Sequence, residues 1–268
     1  LENTLILITG ASTGIGKHLV LNLLTEIDQL SYQNKPIVIG LARRSIQSIT
    51  NKNFISKICD VSKAEEIEKT FNEIDEEFPD KKISVVVANA GMARAVPLLP
   101  EPESETEQKP KTQNTLTKKC EQDQSFSNAA SAFSQMLNVN VLGLTLTIRA
   151  AIKKMDHNFP GYIINTNSMS GHRVSPNVGI HFYTATKHAV SAITEGVRQE
   201  LRLLKSKIRV GQISPGFINT EFFEAMDVKN EEYYRHIEKV VPSALECQDI
   251  TDAFMLMIKS HPRCQYHD

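Results

Sequence analysis

The chain has 268 residues, enough for one large α/β domain or two small ones with a substantial buried core. Its 30 Lys and Arg against 31 Asp and Glu leave a net charge of -1, which excludes a global attraction to nucleic acid or an anionic membrane and suits a small neutral ligand. Cys59, Cys120, Cys247 and Cys264 stand far apart with no C-x-x-C pair, and the histidines form no H-E-x-x-H, so neither a metal site nor a disulfide framework is expected. A reducing compartment is the default expectation from that cysteine usage, and a cytoplasmic setting is expected. No apolar run approaches the roughly 20 residues of a membrane-spanning helix, and Leu1 opens an apparent first strand without Met or a signal peptide, which reads as a trimmed start.

In chain order, short β-rich apolar runs predict strands at 4–9, 36–41, 54–59, 83–88, 162–165 and 208–213. Between them, 14–30, 63–77, 133–156 and 184–204 carry apolar residues at helical spacing with charges opposite. Continuous runs such as Ser84-Val85-Val86-Val87-Ala88 suit strands covered on both faces, and the intervening segments are long enough for right-handed crossovers. The expected fold is a single α/β domain over 1–268, a Rossmann-type doubly wound parallel sheet in three α/β/α layers. Residues 97–127 depart from the pattern. Pro100-Glu101-Pro102-Glu103 and the Lys- and Gln-rich stretch beyond have almost no apolar residues, which reads as a flexible, solvated insertion into the domain.

The first strand runs through Thr9-Gly10-Ala11-Ser12-Thr13-Gly14-Ile15-Gly16 straight into a helix. Glycines there permit a tight turn and close approach of a pyrophosphate, and the helix N-terminus offers free N–H groups to it. At the end of the second strand, where an acid would accept from a ribose 2′-hydroxyl, Ala42 is followed by Arg43 and Arg44. Guanidinium groups instead suit a 2′-phosphate, so the expected cofactor is NADP(H). Two solvated surface arginines would look the same. Asp60, with Val61 beside it, is placed to accept from an adenine amino group or to cap the next helix. Asn89-Ala90-Gly91 follows the fourth strand, its small residues letting the backbone pass close beneath a cofactor while Asn89 ties neighbouring strands.

Tyr183 and Lys187, four apart on a predicted helix, share one face. A cation beside a phenol stabilises phenolate and lowers the tyrosine pKa from about 10 towards working pH, as proton transfer to or from a carbonyl or alcohol oxygen requires. On its own such a pair is usually plain helix surface. Upstream, a strand ends in Asn165-Thr166-Asn167-Ser168-Met169-Ser170-Gly171, offering hydroxyls at its carboxyl edge, and Asn140 lies among apolar neighbours in a helix. Burying Asn140 costs free energy unless it is satisfied, which a water-bridged path to Lys187 would do.

Taken in order, T-G-x-x-x-G-I-G, N-A-G, N-x-x-G, S-x-x-G, Y-x-x-x-K and P-G resemble the short-chain dehydrogenase/reductase superfamily along almost the whole chain. Asn167 to Val174, His181-Phe182-Tyr183 and Thr194 to Arg202 resemble an animal subgroup that includes insect farnesol dehydrogenases and vertebrate carbonyl and hydroxysteroid reductases. The resemblance implies a tetrad of Asn140, Ser168, Tyr183 and Lys187, with Lys187 also holding the nicotinamide ribose. It also implies a carboxamide-binding loop at Pro215-Gly216-Phe217-Ile218-Asn219-Thr220. Ser170 competes with Ser168, because the commoner family spacing to tyrosine would select it; Ser168 fits the S-x-x-G pattern ending at Gly171. An apolar alcohol or carbonyl is the expected substrate, farnesol first, then steroids or xenobiotic carbonyls, under a cover formed by 220–242. A non-catalytic NADP(H) sensor is the rival from another class. The family pattern also leads us to expect a homo-oligomer and a last strand beyond Asp268.

Overall fold

The computed structural model describes residues 2–99, 115–176, 178–218, 220–224 and 244–266. Six strands, β1 (Thr4–Thr9), β2 (Ile37–Ala42), β3 (Phe54–Ile58), β4 (Lys82–Ala88), β5 (Tyr162–Thr166) and β6 (Arg209–Ile213), form one sheet in the order β3-β2-β1-β4-β5-β6. Every pairing is parallel. Parallel neighbours cannot be joined by hairpins, so each crossover carries the chain over a face of the sheet. Helices α1 (Gly14–Gln29), α2 (Ala64–Glu77), α3 (Thr115–Leu137), α4 (Leu144–Lys154) and α5 (His181–Leu203) lie in these crossovers, β2 passes to β3 without a helix, and the short α6 (Glu221–Glu224) and α7 (Cys247–Lys259) follow the last strand.

Both faces of the sheet are apolar because both are covered. From β1, Ile6 and Ile8 pack with Leu19, Leu23 and Ile27 of α1 and with Ile250, Phe254 and Ile258 of α7. The alternate residues Leu5 and Leu7 point the other way, into a core shared with Phe71 and Ile74 of α2, Leu144 and Ile148 of α4 and Val190 of α5. Fully burying one such side chain contributes about 1.5–3 kcal/mol, which explains the long apolar runs of the central strands β1, β2 and β4; the edge strands β3 and β6 also carry Ser56, Lys57, Arg209 and Gln212. The doubly wound order reverses between β1 and β4, and at that switch point the carboxyl ends of the strands diverge to leave a crevice.

Several boundaries differ from the sequence expectation. The helix expected over 133–156 is three pieces: α3, a π-helical turn (Asn138–Gly143) and α4. One residue of widening leaves the apolar stripe nearly unchanged, so periodicity does not reveal it. α3 starts at Thr115, so residues 115–127 of the segment read as a solvated insertion are helical, while 100–114 lie outside the described residues. A shortage of apolar residues separates buried from exposed but not helix from loop. α5 begins at His181, three residues before the expected start, and so contains Tyr183 within its first turn. α7 was not anticipated at all. The cover expected over 220–242 is described only from Thr220 to α6, and the proposed strand beyond Asp268 is outside the chain.

Candidate active site

The crevice is built first by glycine. Gly10 has φ +68°, and a Cβ there would stand 2.9 Å from Ala90 Cα; Gly14 has φ +51° and faces Thr220, whose Cγ2 would be 3.8 Å from such a Cβ. Ala11 is buried under β2, its N–H bonded to Leu41 O at 3.3 Å, and Ser12 and Ile15 are part-exposed around the bend. Thr13 is the N-cap residue of α1, and no side-chain hydrogen bond caps the helix. Main-chain donors at that N-terminus, with no Cβ in the way, are what a pyrophosphate needs.

Beside this loop, Arg43 and Arg44 are exposed at the end of β2. Asp60 accepts from Ser62 N at 3.0 Å and Ser62 Oγ at 2.8 Å. Burial opposes ionisation of Asp60, but these bonds and the charge of Arg43 hold its carboxyl below the ordinary aspartate range. The N-cap residue of α2 is Lys63, so Asp60 forms a local turn and does not cap the helix with its side chain. Val61 is buried, with its carbonyl against Gly143 of the π turn.

Asn89 knits the ends of three strands. Its Nδ2 donates to Thr9 O at 3.0 Å, its Oδ1 accepts from Thr166 Oγ1 at 3.2 Å, and Thr9 Oγ1 accepts from the N–H groups of Asn89 and Ala90, both at 3.0 Å. The backbone then turns through Gly91, where a Cβ would stand 3.6 Å from Asn140 Oδ1 and 3.9 Å from Lys187 Nζ. The two distances bring Asn140 and Lys187 to one point.

Asn140, on the π turn, is fully buried. Its carboxamide exchanges hydrogen bonds with the backbone of Met92 (N→Oδ1 2.9 Å, Nδ2→O 2.8 Å) and donates to Thr186 Oγ1 at 3.1 Å. These bonds already meet the cost of burial, about 1–3 kcal/mol for a group left unpaired, for which the sequence reading had invoked a water-bridged path to Lys187. Lys187 is 5 % exposed and donates to Thr166 O at 2.8 Å. Loss of hydration pushes its pKa down to about 8. One helical turn earlier, the Tyr183 ring centroid is 5.8 Å from Lys187 Nζ, and the ring is walled by Phe222 at 5.9 Å, with Met92, Ala93, Phe133, Met136, Ile180 and Phe182 in the same apolar cluster. Ser168 ends the extended segment after β5. Its Oγ accepts from Ser170 N at 3.1 Å, which engages a lone pair and leaves the O–H proton to donate elsewhere.

The loop after β6 closes over the same crevice. Pro215 O accepts from Met169 N at 2.9 Å, and a Cβ on Gly216 would stand 3.1 Å from Met169 Sδ. Ile218 is buried and pairs with Leu245 in an isolated bridge. The glycine loop, Asn89, the Ser168 turn, the Tyr183 face of α5 and residues 215–218 thus meet at the carboxyl edge of the sheet, with Arg43 and Asp60 after the ends of β2 and β3.

The family model described as short chain dehydrogenase matches residues 4–231. The chain belongs to the short-chain dehydrogenase/reductase family. Human "Dehydrogenase/reductase SDR family member 11" is 33% identical, covering 100% of this chain and 93% of its own. "Farnesol dehydrogenase" of Aedes aegypti is 29% identical over 97% of this chain and 92% of its own. Among solved structures, an alcohol dehydrogenase from Thermococcus sibiricus complexed with 5-hydroxy-NADP superposes with TM-score 0.70 at 22% identity, covering 98% of this chain and 94% of that one. That last likeness speaks to the fold alone.

In this short-chain dehydrogenase/reductase some residues that shape the site were not among those expected to contact the cofactor. Gly16, the last glycine of the loop motif, leaves no room for a side chain: a Cβ would lie 2.3 Å from Gly10 O and 2.6 Å from Asn89 Nδ2. Thr166, the acceptor for Lys187, and Thr186, the partner of Asn140, act through a backbone carbonyl and a hydroxyl whose directions no linear pattern conveys.

Proposed function

We propose that this chain is an NADP(H)-dependent oxidoreductase that interconverts an apolar alcohol, farnesol or a similar isoprenoid first, and its carbonyl. The observation that carries the reading is the desolvated Lys187 one helical turn from Tyr183, on the face that meets the end of β5. The crevice fits a dinucleotide. Gly10 and Gly14 keep Cβ atoms out of the loop, α1 has no side-chain cap, and Asn89 holds Ala90 against Gly10.

When bound, the nicotinamide would supply or accept hydride. The protein's part is proton transfer and positioning. Ser168 donates its O–H to the substrate oxygen, Tyr183 passes its phenolic proton to the same oxygen in reduction or takes it in oxidation, and the Lys187 ammonium stabilises the phenolate and holds the ribose. Asn140 fixes the Met92 backbone and the Thr186 turn of α5, keeping Lys187 and Gly91 in register. Gly10 to Ile15 take the pyrophosphate, Asp60 and Val61 the adenine, Asn89 to Gly91 the inner ribose side, and Pro215, Gly216, Ile218 and Thr220 the carboxamide end.

Exposed Arg43, with Arg44 beside it and no carboxylate at Ala42, favours a 2′-phosphate. The aromatic and Met side chains around Tyr183 favour an apolar substrate. The relative named farnesol dehydrogenase supports the isoprenoid choice. The test is NADPH oxidation with farnesal, a ketosteroid and an aromatic ketone, and NADP reduction with farnesol, in the parent and in Tyr183→Phe. The reading expects farnesol and farnesal to be the best pair and the variant to lose about 100-fold or more. Tight NADPH binding with no turnover of any carbonyl would favour the sensor instead.

A further inference from the structure

Tyr183, Lys187 and Ser191 follow one another at intervals of four along α5, so they stack on one face. Lys187 fastens that face to Thr166 O, the last residue of β5. One turn further, Ser191 fastens it to the segment that follows. Its Oγ accepts from Asn167 Nδ2 at 2.8 Å and donates to Gly171 O at 3.0 Å. The second Asn167 N–H goes to Gln212 Oε1 on β6 at 3.1 Å, which sets which way the carboxamide faces, and Asn167 N donates to Ile213 O at 2.8 Å. Asn167 is 3 % exposed and lies against Gly171 so closely that a Cβ on that glycine would be 2.5 Å from the amide. Asn167 and Gly171 bracket Ser168, and the turn between them is tied by Gly171 N→Ser168 O at 2.8 Å and Ser170 N→Ser168 Oγ at 3.1 Å.

We propose that Ser191 is a positioning residue: through Asn167 and Gly171 it clamps the Ser168 turn to α5 and so sets where the Ser168 hydroxyl stands relative to Tyr183. The proposal rests on the roles given to Ser168 and Tyr183 above. Both hydroxyls must reach one substrate oxygen, and hydrogen bonding tolerates errors of only about half an ångström in such a pair. Tyr183 is carried by a helix and Ser168 by a turn, so their separation is fixed only if helix and turn are joined. The Ser191 hydroxyl acts in series, acceptor from Asn167 and donor to Gly171, and each bond polarises the other. An Ala at 191 removes both joints at once while leaving Lys187 and its bond to Thr166 O in place.

The test is a double-mutant cycle with Ser191→Ala, Ser168→Ala and both together, plus Ser191→Thr, which keeps the hydroxyl. With NADPH and the carbonyl that the parent reduces best, kcat of Ser191→Ala falls about tenfold or more while the Kd for NADPH stays within about twofold; Ser191→Thr recovers most of the rate. In the Ser168→Ala background, Ser191→Ala costs little further. Undiminished kcat, additive losses, or no recovery with threonine each overturn the proposal. Hydrogen exchange of the segment 166–172 is read in parallel: it quickens in Ser191→Ala with the rest of the sheet unchanged, and unaltered exchange also overturns it. If the parent reduces no carbonyl, the functional reading fails by itself, and the exchange measurement still decides whether Ser191 clamps the turn.

Discussion

Replacing Lys187 with methionine is expected to make the protein more stable and nearly inactive. At neutral pH the fold holds a charged amine in its interior, and the fall in pKa from 10.5 to about 8 corresponds to a penalty of about 3 kcal/mol. Methionine keeps the apolar stem and removes the charge, but it leaves Thr166 O without its 2.8 Å donor, at a cost of about 1 kcal/mol. The net gain is therefore about 2 kcal/mol near pH 7. Its pH dependence has a definite sign. Below about 8 both folded and unfolded lysine are protonated and the penalty is fully present; between about 8 and 10.5 only the unfolded lysine keeps its proton, so the parent gains stability as pH rises. Lys187→Met lacks that gain, so its advantage should vanish at about pH 9.5 and turn into a deficit of up to about 1 kcal/mol above it, the cost of the missing bond to Thr166 O. Urea melts of both proteins without cofactor, followed by circular dichroism at about pH 7 and pH 10, measure the difference, and other titrating groups cancel between them. A variant less stable than the parent at pH 7, or one with the same pH slope, would refute the reasoning.

Ser168→Ala should lower kcat for carbonyl reduction far more than Ser170→Ala, because Ser168 Oγ accepts from Ser170 N and so keeps its proton to donate; the opposite order in steady-state kinetics would hand the role to Ser170. Ala42→Asp combined with Arg43→Ile should turn preference from NADPH to NADH. A charge-assisted bond to the 2′-phosphate contributes about 1.5–3 kcal/mol, or roughly ten- to over a hundredfold in affinity. Equal Kd values for the two cofactors in the parent would remove the role of Arg43. Gly16→Ala should abolish cofactor binding and lower stability by about 1–3 kcal/mol, since the added methyl meets Gly10 O at 2.3 Å; an unshifted melting temperature with parental affinity would contradict this.

The central strands were legible because β1, β2 and β4 carry long apolar runs, as burial on both faces demands, whereas β3, with Ser56 and Lys57, and β6, with Arg209 and Gln212, gave a weaker signal. The shared face of Tyr183 and Lys187 was legible from helical spacing, but what set the pair apart from plain helix surface was the order of the surrounding motifs. α7 was overlooked although Ile250, Phe254, Met257 and Ile258 keep the helical period and Glu246 with Asp249 forms a reciprocal cap. Glutamate is an uncommon N-cap residue, so the usual Ser, Thr, Asp or Asn start signal was missing. The π turn at Asn140 and the bond from Lys187 to Thr166 O were beyond reach for another reason: neither changes the order of apolar and polar residues. The clamp at Ser191 joins positions 20 and 24 residues apart, a pairing that only the crossing of β5 and α5 creates.

Asn89 stitches to Thr9, 80 residues away, and to Thr166, 77 residues away. The first bond needs β4 seated beside β1 and the second needs β5 seated beside β4, so both together require the three central strands of the sheet. Such long-range pairings are slow to find, because a large loop must be closed before any contact repays it. On the nucleotide-binding role proposed for Ala90 and Gly10, competence to hold a ligand there is gained late, after the flanking helices have formed. On dilution from urea, fluorescence from bound nucleotide should return more slowly than the helical dichroism.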